Sequence, residues 1–491
     1  MQRQDRPRHS RTRAGCLTCR SRKKKCDEIR PRCAGCRRNM LNCTWPAGTL
    51  DVDSSPQAST IAEPRTMVLQ CAGTQPVGVP PAVRSAHCGD ERACSLTPQS
   101  VALLSHYLGQ TASYFAMRRL EDNPFVTVLL PLGYMDDLLM HGLLAFSGAH
   151  LTMKEPENAA LVRATSMHYS KMITGLLGEF AALRDDDLDK MERLLRILLV
   201  ACHYEAICGD TKGAMFNHLR ASRQLILSLL AHKNVRQSWN GVNVSALGFS
   251  IELYSYLVIL NTIIPYGKAK DRTSALDAFI VSVEDMSSFP TFGALFAGSH
   301  ELFRLIAEVN MLASKRLAEE AAGETQPSPS SRLTHDDILQ RVQAWKMPPR
   351  DEKESVKDWE HKRCAAEMFR QGLHIYLLAA LAGSIVTDPD GVCAIHAHVV
   401  KLFTHAGELT AANNYVATMI WPVLMGGTCL VEQGQQQVLA EAIRTGWSSM
   451  NHMKIVGDIL QLLWKDPDPR AFGPYGLYLT MEKHDLKVSI V

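Results

Sequence analysis

Six cysteines, Cys16, Cys19, Cys26, Cys33, Cys36 and Cys43, stand at C-x2-C-x6-C-x6-C-x2-C-x6-C. Zn²⁺ takes soft or borderline ligands in a tetrahedron, and a C-x2-C pair closes a tight turn over one ion. Two separate four-cysteine sites would need eight thiolates. Six suffice for two ions when two of the thiolates are shared. The halves 16–26 and 33–43 repeat one spacing, which predicts a pseudo-symmetric pair of short turn–helix units. The 16–45 segment has almost no apolar core, so bound metal must supply its folding free energy, on the order of 10 kcal/mol per structural ion. A disulfide knot is the rival reading. No apolar secretory leader follows the early arginines, so the thiols are expected to stay reduced, in an intracellular protein, and to hold metal.

The first six-residue gap is filled by Arg20-Ser21-Arg22-Lys23-Lys24-Lys25, cationic donors suited to phosphate and to base edges. A short helix is expected to start at Cys19 and carry Arg20–Lys25, with Arg22 and Lys23 at its exposed end. Residues 1–48 hold 14 Lys and Arg against Asp5, Asp27 and Glu28, so this head carries +11 and the rest −8 in a chain of net +3. Such a split points to a polyanion-binding end and a body with another task.

The elements that must position this head divide the chain into four regions. Residues 1–15 are a basic arm expected to be disordered, 16–45 the cysteine module, 46–97 a proline-punctuated disordered linker, and 98–491 a large helical body. Met191, Leu194, Leu195, Leu198, Leu199 and Cys202 follow i, i+3, i+4, i+7 spacing behind the acidic run 185–189, which suits a helix N-terminus. A second amphipathic stretch covers Leu219 to Leu230, and Leu138 to Leu151 is apolar nearly all round, as a central buried helix would be. Later helices are expected at 299–320, 358–383, 392–413, 435–447 and 451–464, with loops at 323–331 and 347–354 where prolines cluster. Neither a strand pattern, nor a leucine heptad, nor an apolar run long enough to span a membrane is found.

The segment from Gly15 to Cys36, with Pro31 two residues before the fourth cysteine, resembles the fungal Zn2Cys6 binuclear-cluster DNA-binding domain. The resemblance implies a metal-stabilised module with two short helices and two Zn²⁺. Cys16 and Cys33 would bridge, Cys19 and Cys26 would complete one site, and Cys36 and Cys43 the other. It implies double-stranded DNA as partner, with a helix in the major groove over a CGG-type half-site. Lys23 would read guanine, Arg22 and Lys24 would stand next to it, and Arg20, Lys25, Arg37 and Arg38 would lie mainly on phosphates.

The body resembles the fungal transcription-factor regulatory domain at Leu103–Leu108, Asn123-Pro124-Phe125, Leu129–Leu132 and His141–Leu151. Gly209-Asp210 with His218–Ala221, and Trp421-Pro422 with Gly426-Gly427, match it too. This implies an all-α regulatory domain in a nuclear, RNA polymerase II-type transcription factor that contacts the transcription machinery. Such a factor is expected to be pathway-specific, commonly for a secondary-metabolite gene cluster. Homodimer, heterodimer and monomer all stay open. The alternative is a sensor whose body binds a small-molecule effector.

An enzyme is not expected, since no phosphate-cradling glycine loop, nucleophile elbow or zincin motif occurs. Cys393, His396 and His398 form the best residual constellation, but His396 and His398 diverge on a helix. Asp185–Asp187 suit a helix start better than a metal site. His141 and His150 are expected as packed core histidines, and the helical region's other cysteines as small core residues.

Overall fold

A computed structural model describes residues 15–21, 24–29, 33, 34, 36, 43–45, 97–116, 119–231, 242–261, 291, 293–296, 299–350, 352, 354–409, 417–446 and 451–489. Apart from Gly15 and Thr97, the expected arm and linker lie outside these residues. The chain divides into two units, Met1–Thr66 and Met67–Val491.

In the first unit sulfur stands in for hydrocarbon. Cys16, Cys19, Cys33 and Cys36 form its buried centre, with Cys26, Cys43 and Trp45 packed against them. Its helix α1 spans Leu17–Ser21. It therefore starts two residues before Cys19, and Lys24 and Lys25 lie beyond its end, a correction to the expected Arg20–Lys25 helix. The reason is local: the Cys16 sulfur accepts the Cys19 N–H at 3.3 Å, as a capping side chain would, so the helix begins directly after Cys16.

The second unit is helical, and among its described residues the β-structure is one isolated bridge, Lys212 to Lys487. Helix α2 (Pro98–His106) opens with Pro98 in its first turn and Thr97 accepting the Ser100 N–H. Helices α3 (Leu130–Met135) and α4 (Asp137–Lys154) follow, the Asp136 carboxylate capping Leu138 and Leu139. Helix α4 is buried along nearly its whole length, as its all-round apolar sequence predicts. It packs on α5 (Ala159–Ala181) and α6 (Leu188–Cys208). Asp187, from the acidic run, caps α6 through the Lys190 N–H. Gly209 ends that helix at φ 74°, and Asp210 accepts the Met215 N–H to turn the chain into α7 (Ala214–Ala231).

Helix α8 (Val242–Asn261) is apolar on every side and touches α6, α7 and α9 (His300–Ala321), tying the two halves of the body together. Its one carboxylate, Glu252, is buried and accepts the Leu295 N–H at 3.1 Å. The C-terminal half comprises α10 (Pro329–Ala344), α11 (Val356–Ala382), α12 (Pro389–Glu408) and α13 (Ile420–Gly427), then α14 (Gln433–Gly446), α15 (Asn451–Lys465) and α16 (Gly473–Lys483). Trp421, fully buried, stacks on Phe369 with centroids 5.7 Å apart, which seats α13 on α11.

Two boundaries are corrected. The expected loop 323–331 ends at Ser328, because Ser328 caps Ser331 and Pro329 fits a first helical turn, so α10 begins there. Helix α12 starts at Pro389 behind the Asp388 cap and stops at Glu408 instead of running 392–413, and 410–413 lie outside the described residues.

Candidate metal centre and nucleic-acid interface

The cysteine half-units repeat one backbone device. Cys19 N–H donates to Cys16 Sγ and Cys36 N–H to Cys33 Sγ, both at 3.3 Å. Cys26 Sγ accepts the Glu28 N–H and Cys43 Sγ the Cys33 N–H, each at 3.4 Å. The halves are joined by Asp27, whose carboxylate accepts the Ala34 N–H at 2.9 Å, and by Leu17 N–H donating to the Thr44 carbonyl at 2.7 Å.

Sulfur separations test the fit of metal. Cys16 lies 3.7 Å from Cys33 and from Cys36, and Cys19 lies 3.6 Å from Cys33. A Zn²⁺ at about 2.3 Å from each of four sulfurs sets them about 3.8 Å apart. Cys16, Cys19, Cys26 and Cys33 form one quartet and Cys16, Cys33, Cys36 and Cys43 another, each with its sulfurs within 4.8 Å of one another. The two quartets have Cys16 and Cys33 in common. Burial pushes the Cys16, Cys19 and Cys36 thiols up, Cys36 to about 12, whereas the Cys36 N–H draws Cys33 down to about 6. So many close sulfurs can all ionise only with cations among them, and the residues fit two Zn²⁺.

Of the cationic residues, Arg20, Lys24 and Lys25 are exposed, while Arg22, Lys23, Arg37 and Arg38 lie outside the described residues.

The other sequence candidates disperse. Cys393 is exposed, and His398 stacks on His374 at 4.3 Å while its ring meets Gln371 at 2.6 Å. His150 is buried, but His141 is half-buried against His168 at 2.8 Å, a correction to its core assignment. Cys202, Cys364 and Cys429 are buried, whereas Cys208, at the end of α6, is exposed. Sequence reading missed one cluster, Cys364 with His405 and Glu408. His405 and Glu408 are legible as an i, i+3 pair, but Cys364 is 44 residues from Glu408 and only the α11–α12 packing brings it there.

Residues 102–485 match the family described as fungal specific transcription factor domain. The chain belongs to that family. Residues 14–49 match the fungal Zn(2)-Cys(6) binuclear cluster domain, whose cofactors are two zinc ions. The zinc cluster transcription factor CZF1 of Candida albicans is 69% identical over 36 residues, 7% of this chain and 9% of that protein. Transcription factor FUP7 of Fusarium proliferatum is 65% identical over 37 residues, 8% of this chain and 15% of its own length. The transcriptional activator protein UGA3 of Saccharomyces cerevisiae is 23% identical over 160 residues, 28% of this chain and 30% of its own. The chain thus spans under a third of each of these relatives. No solved structure matches it. These matches are to transcription factors and not to enzymes.

Proposed function

We propose that this protein is a nuclear, sequence-specific DNA-binding regulator of RNA polymerase II transcription, whose zinc module at 16–45 reads CGG-like half-sites. The observation that carries this reading is the sharing of Cys16 and Cys33 between two sulfur quartets, with Arg20, Lys24 and Lys25 exposed nearby. Cys16 and Cys33 bridge two Zn²⁺, Cys19 and Cys26 complete one tetrahedron, and Cys36 and Cys43 complete the other. Lys23 donates to guanine O6 and N7, Arg22 and Lys24 stand beside it, and Arg20, Lys25, Arg37 and Arg38 hold phosphates. The linker spans 46–97, and the helical body, 98–491, provides dimer contacts and contacts to the transcription machinery in a pathway-specific factor, a secondary-metabolite gene cluster being the expected target.

The effector-sensing alternative finds no support in the apolar cavity lined by Ala313, Leu317, Tyr376 and Pro474, whose roughly 20 Å³ holds about one water.

Duplex titration at fixed salt tests the reading. Lys23→Ala should weaken binding to a CGG duplex by about 10- to 100-fold while changing a scrambled duplex little, whereas Lys25→Ala should weaken both alike. Equal affinity of Lys23→Ala and the unaltered protein for the CGG duplex would refute the assignment.

A further inference from the structure

Cys364 on α11 and His405 and Glu408 on the last turn of α12 bring a thiol, an imidazole and a carboxylate together, all three ligand atoms within 4.8 Å of one another. The Cys364 thiol donates to Glu408 Oε2 at 3.1 Å, and the same oxygen receives His405 Nδ1 at 3.1 Å. We propose that these three residues form a further zinc site that clips the end of α12 to α11, separate from the six-cysteine cluster.

The order of the groups decides between metal binding and nucleophilic chemistry. An activated thiol needs the imidazole between itself and the carboxylate, so that the ring can take the proton. Here the carboxylate oxygen stands between thiol and imidazole, so the ring has no direct hold on the thiol proton, whereas three ligand atoms within 4.8 Å of one another can close on one ion. The donor set is the mixed sulfur, nitrogen and oxygen set of Zn²⁺, and three protein ligands leave a fourth position for water. Access is graded. Cys364 is 5% exposed and closes the inner side, while the side chains of His405 and Glu408 are 21% and 48% exposed, so an ion can enter from solvent. The neighbouring Arg363 pairs with Glu360 at 2.8 Å.

The test counts zinc in the full-length protein after equilibration with micromolar free Zn²⁺. The expected result is three ions per chain, falling to two in His405→Ala and in Glu408→Gln, both at solvent-accessible positions where folding should survive. Far-UV circular dichroism of each variant checks the fold, and added Zn²⁺ should raise the unfolding temperature of the unaltered body but not of either variant. A zinc count in both variants equal to that of the unaltered protein, whatever its total, overturns the proposal. A failure of the six-cysteine assignment is distinguishable, because it would change the count while leaving the His405-dependent ion in place.

Discussion

Cys16 and Cys33 each accept the N–H of the cysteine three residues on, at 3.3 Å, and each belongs to both sulfur quartets. An N–H donated to sulfur lowers its basicity, which suits a thiolate that must share its charge between two ions. Under the bridging proposal the ligands are not equivalent. Cys16→Ser should cost two zinc ions per chain and Cys26→Ser one, measured as zinc content of the purified protein; equal losses would deny Cys16 a bridging place. The grouping of the six cysteines was legible at this scale because it follows their spacing. Where α1 starts was not, since that depends on a sulfur serving as a cap, which no propensity anticipates. Cys364 was opaque for a different reason: nothing in its neighbours says that Glu408 will stand 3.1 Å away.

Helices α4 and α5 approach closely because a glycine stands at each end of their contact. A Cβ on Gly148 would sit 2.1 Å from Thr165 Oγ1, and one on Gly175 would sit 2.3 Å from a Leu138 methyl. Alanine in a helix interior normally stabilises by about 1 kcal/mol over glycine. Overpacking of a filled interface costs about 1–3 kcal/mol, so the clash should win. Gly148→Ala is expected to lower the urea midpoint, and Thr165→Ala in the same chain should recover part of the loss, since the Thr165 Cβ itself lies 2.8 Å from the added methyl. An equal loss with and without Thr165 would show that the contact is not its cause. The periodicity of both helices can be read from the sequence; that their glycines are contact points cannot, because a glycine inside a helical pattern looks like a weakness until its neighbour is known.

At seven histidines spread over the helical unit, burial disfavours the charged form. Burial draws His203, His452, His168 and His106 down to about 4 and His150 to about 3. In the stacked pair His374 and His398 it does the same, to about 3 and about 4. These values lie below the ordinary value of about 6.5, so the unfolded chain binds more protons between pH 4 and 6.5. The stability they represent is present above about pH 6.5 and is lost as the pH falls towards 4, each fully buried ring contributing at most about 1.4 kcal/mol per pH unit. Urea midpoints followed by helical circular dichroism, which reports the body, should fall from pH 7 to pH 5. An unchanged midpoint over that range would mean the rings are not held neutral by burial.

By itself the sequence determined the zinc chemistry and the helical character of the body, because ligand spacing and apolar periodicity are local properties of the chain. It also placed the acidic run 185–189 at a helix start, and most later helices to within a few residues. Only the tertiary structure decided which faces meet. It alone brought Cys364 to the end of α12 and paired His141 with His168 and His374 with His398. Those outcomes depend on packing between residues far apart in the chain, and the free energy of such contacts is written in no single segment.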